Sequence, residues 1–379
     1  MLSKILKIND TELHKAKSLW STFKNAYLRK KDIKKFWKNL DKKNLSKDIV
    51  KITNQFIASE SINWTSKFWR HCIINHYRYV SNSKPNIDPL HHILRSDYAG
   101  FSFLDEFSVS KCLEKLSPDV KLSLDFFKQH SGLTVSQSMQ YNMVLLILYE
   151  SIKSKSIFNN YEKINKSIYK KYNPFLTVDE KIITQQMLIS LLEFEKINLL
   201  SARSKKTVEI IELGAGYGRT ANMILSLMDD VKYVVADLPL SVYYCHKNLK
   251  EFFPNKKIIE GYDIVNKNDL ISAYNEADVL FIFPHQLNFF NNKTFDVSLA
   301  IGLFAEMEKA QIKNYMNIFE RISKNVYIKV WEVSGLPFSF YQYYSVHKNS
   351  DYEIKDNWKV HFKERCLMPT NQFELGYEF

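Results

Sequence analysis

At 379 residues with 45% hydrophobic content, the chain can bury a large core, and its length fits two domains better than one. No apolar run reaches membrane-spanning length and the opening Met1-Leu-Ser-Lys-Ile-Leu-Lys7 lacks a signal-peptide core, so a soluble, cytoplasmic protein is expected. Cys72, Cys112, Cys245 and Cys366 are scattered without metal-type pairs, which argues against a structural zinc site or disulfide framework, while the net charge of +12 asks for an anionic partner.

Much of that charge lies at the front, in Lys30-Lys31, Lys34-Lys35 and Lys42-Lys43, interleaved with Phe36, Trp37 and Leu40 at helical spacing. Aromatics so spaced fit a core face, and lysine-rich, arginine-poor runs fit a solvated helix surface, so no specific nucleic-acid partner is expected. An anionic small substrate, or an inner-membrane surface presenting a lipid-linked one, would also be served by the charge. Apolar positions at i, i+3, i+4 and i+7 predict helices over residues 12–28, 49–57, 65–80, 120–130, 137–153 and 179–200. Thr177, after the loop signal Tyr172-Asn-Pro174, is placed as the cap of the last of these. Residues 1–200 therefore read as a mainly α-helical N-terminal domain, serving as a substrate cap or an oligomerisation surface.

Beyond residue 206 the pattern changes to strands alternating with helices, the mark of a doubly wound α/β sheet over residues 201–379. Strands are predicted at 208–213, 232–236, 257–260, 279–283, 297–301 and 326–330. One strand is surplus, because 257–260 and 279–283 compete for the third place. The separation of Pro284 from Asp296 favours the second, which sets Pro284, His285 and Gln286 where adenine-contacting side chains belong. Asp263, ending the first, is the fallback.

The first of these strands runs into Glu212-Leu-Gly-Ala-Gly-Tyr-Gly-Arg219. Gly214, Gly216 and Gly218, with Ala215 and Tyr217 between them, form a turn that lets backbone approach a ligand closely. The dinucleotide fingerprint spaces its glycines G-x-G-x-x-G, whereas the third glycine here comes one residue early. Glu212 would repel a pyrophosphate but suits the ammonium of a bound amino acid. Asp237, about 20 residues past the loop at the end of the next strand, can accept both hydroxyls of a ribose, and Leu238 offers an apolar contact to the base. Together these point to S-adenosylmethionine. An isolated acid after a strand is otherwise a helix cap, and the register with the glycine loop is what favours the ribose role.

Glu212 to Arg219, Asp237-Leu-Pro239, Pro284-His-Gln286, Phe295-Asp296, Glu306-Met307 with Gln311 and Tyr315, Asn357-Trp358 and Asn371-Gln-Phe-Glu374 resemble the bacterial sugar O-methyltransferases. The resemblance covers roughly residues 205–379. It implies a Rossmann-like class I methyltransferase fold, S-adenosylmethionine as cofactor, and a sugar or glycan acceptor from a surface polysaccharide or glycosylated metabolite. A place in the cytoplasm or at the periphery of the inner membrane, and a homo-oligomer, are compatible with it. Ala300, Gly302 and Leu303 depart from the Asn and Ser such sequences carry after the fourth strand, which leaves the acceptor open.

Methyl transfer to a hydroxyl needs alignment and a proton acceptor. Glu306, following the fourth strand, is the first candidate for base or orienting acid; the alternative is a carboxylate stabilised by a helix terminus. His347 would be the better base near neutral pH, although a lone loop histidine is usually just exposed. No paired carboxylate motif stands ready for a divalent cation, so no metal is expected. Two other functions share the same core: an RNA methyltransferase, against which Ala300-Ile-Gly-Leu-Phe304 lacks the Pro-Pro-aromatic and Pro-Cys motifs, and a non-catalytic binding protein.

Overall fold

The structure, a computed structural model, describes residues 33–82, 128–131, 133–201, 207–331, 352, 355–367 and 372–379. The helix expected at 12–28, most of that at 120–130, and His347 lie outside these residues.

The front of the described chain is helical: α1 (Ile33–Asn39), α2 (Lys47–Ala58), α3 (Ser61–Trp64), α4 (Lys67–Asn82), α5 (Val135–Ile152) and α6 (Ser167–Tyr172). The Ser46 hydroxyl opens α2 by accepting from the amide of Ile49 at 3.2 Å. Its Ile49, Ile52 and Phe56 are buried, and the Phe56 ring meets Phe283 edge-on at 5.5 Å. Thr134 and Gln137 form a reciprocal capping box at the start of α5, which is apolar nearly all round and lies in the core.

Thr177 caps no helix. It sits in a two-stranded hairpin of β1 (Leu176–Val178) and β2 (Lys181–Ile183), turned by Asp179 and Glu180, both at positive φ (48° and 63°). Such turns ordinarily announce themselves with Asn or Gly, and Asp-Glu gave no such signal. The following helix, α7 (Gln185–Ser201), starts later than expected, with the Thr184 hydroxyl accepting from the amide of Met187 at 3.1 Å.

From there the order is β3 (Val208–Leu213), α8 (Arg219–Leu227), β4 (Val231–Ala236), α9 (Pro239–Phe252), β5 (Ile258–Glu260), α10 (Lys267–Glu276), β6 (Val279–Ile282), β7 (Phe295–Ile301), α11 (Lys309–Ile322), β8 (Ser323–Trp331), β9 (Lys359–Arg365) and β10 (Gln372–Glu378). One sheet runs β5-β6-β4-β3-β7-β8-β10-β9. All pairs are parallel up to β8, and β10 is antiparallel to both β8 and β9. This is the class I methyltransferase sheet with one extra edge strand. β6 takes the third place, as its spacing predicted, and the surplus segment becomes the outer strand β5.

Two apolar layers sandwich the sheet, and the strands divide between them with the period of two that pleating imposes. Ile210, Tyr233, Val235, Val279 and Phe281 face the layer of α7, α8, α9 and the front helices. Ile211, Val234, Ala236, Leu280 and Ile282 face α10 and α11. Strand order reverses at β3, whose neighbours β4 and β7 are reached from opposite sides, so a crevice opens at the carboxyl ends of these strands. Among the described residues no helix is long and apolar enough to cross a membrane.

Candidate active site

A cavity of about 360 Å³ occupies that crevice. Its floor is the glycine loop. Gly218 caps α8 in the left-handed conformation (φ 92°), and a Cβ there would come within 2.8 Å of the Cys245 sulfur, so both backbone and packing require glycine. Gly214 (φ 81°) sits directly under Leu303, whose Cδ1 would lie 3.0 Å from an added Cβ. Ala215, Gly216 and Tyr217 also line the cavity, and the buried Tyr217 ring packs on Tyr172 at 5.3 Å.

Asp237 follows β4 beside this loop and lines the cavity with Leu238. Its Oδ2 accepts from the amide of Gly216 at 2.9 Å and its Oδ1 from the amide of Leu238 at 2.6 Å. With the Ser241 hydroxyl as a third donor, one of the carboxylate's four acceptor positions is left for a ligand hydroxyl. Burial pushes the carboxyl up to about 7, against the lowering effect of those amides and of the Ser241 hydroxyl. Asp237 is therefore a buried acid on the cavity wall and not a free surface cap.

Glu212 is brought near but not into the cavity wall. It is buried on the α7 to α9 side of β3, where its Oε2 accepts from the Tyr233 hydroxyl at 2.7 Å, and burial raises its carboxyl to about 7. Of the Pro-His-Gln segment, only Pro284 reaches the cavity. The His285 ring nitrogen Nδ1 shares a 2.7 Å hydrogen bond with the Ser61 hydroxyl, which also accepts from the His285 amide at 3.1 Å. Gln286 is fully buried as a clamp. Its amide nitrogen donates to the carbonyls of Gly261 and Ile264, both at 2.8 Å, and its oxygen accepts from the amide of Phe283 at 2.7 Å. Every polar atom of the Gln286 side chain thus serves backbone that follows β5 and β6. Asp263 lies away from the cavity and accepts from the Gln55 amide at 3.2 Å.

Glu306 does line the cavity. It ends the short 3₁₀ turn Phe304–Glu306 after β7, and its Oε2 accepts from the indole N–H of Trp69 at 2.7 Å. Trp69 stands on α4, and Trp64, Thr65 and Ser66 from the same front region also form part of the wall. Sequence periodicity read that stretch as a core-facing helix. Its aromatics carry no sequence pattern that separates a site from ordinary packing.

The opposite wall holds a buried ion cluster with no sequence signal at all. Glu193 on α7 accepts from Arg219 twice, at 2.6 and 3.0 Å, and from Lys329 Nζ on β8 at 2.9 Å; the Arg219 guanidinium also donates to the Ser190 hydroxyl at 2.7 Å. Burial alone would neutralise Glu193, but Arg219 and Lys329 hold its carboxyl below the ordinary range. The partners are 26 and 136 residues distant in sequence, so only the fold reveals them. α7, at whose end the division near residue 200 was expected, packs on α8, β7 and β8. Among the described residues, no group of three or more His, Cys, Asp and Glu side chains is arranged to hold a metal.

No protein-family model and no curated protein matches the chain. Among solved structures it is similar to the PH0226 protein from Pyrococcus horikoshii OT3, at 14% identity and a TM-score of 0.33, over 49% of this chain and 91% of that one. It is similar too to magnesium protoporphyrin IX methyltransferase from Synechocystis PCC 6803 with bound SAH, at 8% identity and a TM-score of 0.35, over 60% and 95%. An rRNA methylase from Streptococcus thermophilus gives 9% identity and a TM-score of 0.31, over 48% and 93%. Likenesses this distant carry nothing about activity.

Proposed function

We propose that the chain is an S-adenosylmethionine-dependent O-methyltransferase acting on a sugar hydroxyl. The observation that carries this reading is the placement of Asp237, hydrogen-bonded to the glycine loop, and Glu306, held by Trp69, on one cavity at the switch point of a methyltransferase-type sheet. The residues present fit the cofactor. Gly214, Ala215 and Gly216 bring the loop to the cavity surface with no bulky side chain, and Asp237 keeps acceptor capacity for the ribose.

When bound, S-adenosylmethionine supplies an activated methyl group with its own leaving group. Asp237 would hold the ribose, Leu238 and Pro284 would flank the base, and Glu306 would orient the acceptor hydroxyl and take its proton. The indoles of Trp64, Trp69 and Trp331 on the wall suit the C–H faces of a sugar ring. Closure of the crevice by residues of the front helices limits water at the reacting oxygen.

Titration calorimetry with S-adenosylmethionine, followed by transfer of a labelled methyl group to a panel of sugars and glycans, tests the proposal. Binding with transfer to a sugar oxygen is expected; a chain that binds no S-adenosylmethionine is not this enzyme.

A further inference from the structure

The cavity has a second polar end that neither the glycine loop nor Glu306 explains. Arg219 and Lys329 both line it, yet among the described residues Glu193 is the only carboxylate hydrogen-bonded to either. An ammonium has three N–H groups and a guanidinium five. Lys329 spends one on Glu193, and Arg219 spends three on Glu193 and Ser190, which leaves two N–H groups on each cation without a protein acceptor among the described residues. The side-chain amides of Gln186 and Gln372 and the indole N–H of Trp331 line the same end, and no hydrogen bond within the described residues occupies them.

Charge points the same way. Lys329 is 3% exposed, and although burial works against its charge, Glu193 holds its pKa above the ordinary lysine value. The next carboxyl, Glu374, is turned to the Tyr327 hydroxyl at 2.7 Å and has its pKa raised by burial. Two cations thus share one ionised carboxylate at the wall of a cavity. Leaving buried donors and charge unmatched is costly, so this end is built for an anion that accepts several hydrogen bonds.

Position decides which anion. Lys329 and Trp331 are on β8 and Gln372 on β10, three and four strands from the β4 that carries Asp237. At strand spacings of about 4.8 Å this is roughly 14 to 19 Å across the sheet. Glu306, following β7, lies between the two ends. Lys329, Trp331 and Gln372 are therefore beyond the reacting centre as seen from the ribose site, while Arg219, directly after Gly218, joins them from the border of the glycine loop.

We infer that Lys329, Arg219, Gln372 and Trp331 form a carboxylate-binding subsite for the acceptor, and that the substrate is an acidic sugar of the uronic-acid type. The inference rests on the sugar methyltransferase reading and narrows it. The same carboxylate chemistry could be supplied by the methionyl end of the cofactor, which the experiment separates.

Calorimetry on the full chain saturated with S-adenosylhomocysteine compares the methyl glycosides of glucuronic, galacturonic and mannuronic acids with their neutral counterparts. At least one uronate is expected to bind about 10- to 100-fold more tightly than its neutral partner. That preference should fall to near unity in Lys329→Met and in Gln372→Leu, with S-adenosylhomocysteine affinity unchanged. Lys329→Met leaves Glu193 paired with Arg219, and Gln372→Leu removes no charge, so the second stands if the first fails to fold. Equal binding of acidic and neutral sugars, or a preference that survives in Gln372→Leu, overturns the inference while cofactor binding keeps the wider reading intact. A Lys329→Met variant that loses affinity for S-adenosylmethionine but not for its decarboxylated form assigns the subsite to the cofactor and also overturns it. A wild-type chain that fails to bind S-adenosylhomocysteine rejects both readings together.

Discussion

The indole N–H of Trp69 and the Oε2 of Glu306 lie 2.7 Å apart, a hydrogen bond that spans 237 residues of sequence. It ties the helical front of the chain to the one acid that follows β7 into the cavity. A neutral donor fixes a carboxylate's direction without cancelling its charge, as a proton acceptor requires.

Trp69→Phe keeps most of the apolar volume and deletes the donor. We expect kcat to fall about 10-fold through the lost hydrogen bond, with S-adenosylmethionine affinity retained. A variant with a lower melting temperature and an unchanged kcat would show that the contact is only structural.

Glu306→Gln tests the acid itself. Turnover should drop roughly 10² to 10⁴-fold while cofactor binding survives, the usual cost of losing a positioned base. Single-turnover methyl transfer and calorimetry on the same preparation separate chemistry from binding, and near-normal turnover would remove Glu306 from the mechanism.

Asp237 gives a prediction about pH. Its pKa is raised from the ordinary 3.8 to about 7 by burial, so between those values the folded state holds a proton that the unfolded chain releases. Stability of the ligand-free protein is therefore fully present at low pH and is lost as pH rises through 7. Asp237→Asn removes this loss, so its melting temperature relative to wild type should climb between pH 5 and pH 8, by an amount equivalent to about 2 kcal/mol. A difference independent of pH would contradict the burial argument. Asp237→Ala should cost about 1.5 to 3 kcal/mol in cofactor affinity at pH 8, where the carboxylate is ionised.

Glu193→Ala strands Arg219 and Lys329 in the interior. Breaking a buried ion cluster by removing one partner typically costs about 3 to 5 kcal/mol, and chemical denaturation should show a loss of that size. Because Glu193 has its pKa held below the ordinary 4.5, its contribution is present above that value and lost as pH falls through the lower folded one.

Gln286→Leu should behave as a core lesion. Three backbone groups lose their partner, at about 1 to 3 kcal/mol for unsatisfied buried groups, yet S-adenosylmethionine affinity should change little. A selective loss of cofactor binding would instead return Gln286 to the adenine site.

The sheet was readable because strand and helix periods differ and because the glycine loop has its own spacing. Residues 279–283 were placed as the third strand by the separation of Pro284 from Asp296, and β6 stands there, buried on both faces. β9 and β10 escaped notice, because Lys359 to Arg365 is half charged and Gln372 to Glu378 mixes acids with aromatics, as an edge region permits. The loop and Asp237 were legible as local patterns, whereas Glu193, Lys329 and Trp69 enter through contacts that no local pattern encodes. Gln286 shows the converse: its position beside a strand end was right, but orientation decides between ligand and backbone, and sequence spacing does not carry orientation.

The ion cluster also imposes a timetable on synthesis. Glu193 leaves the ribosome 136 residues before the lysine it binds, and β8 and β10 come later still. At roughly 5 to 20 residues per second, α7 waits about 7 to 27 seconds for β8, its acid paired in that interval with Arg219 alone. Helices of the front can dock on one another in that interval, but the face meant for β8 cannot close. The nascent chain should therefore be a client for chaperones until its last strands emerge, and a ribosome stalled short of residue 329 would hold a chain whose buried acid has met only its arginine.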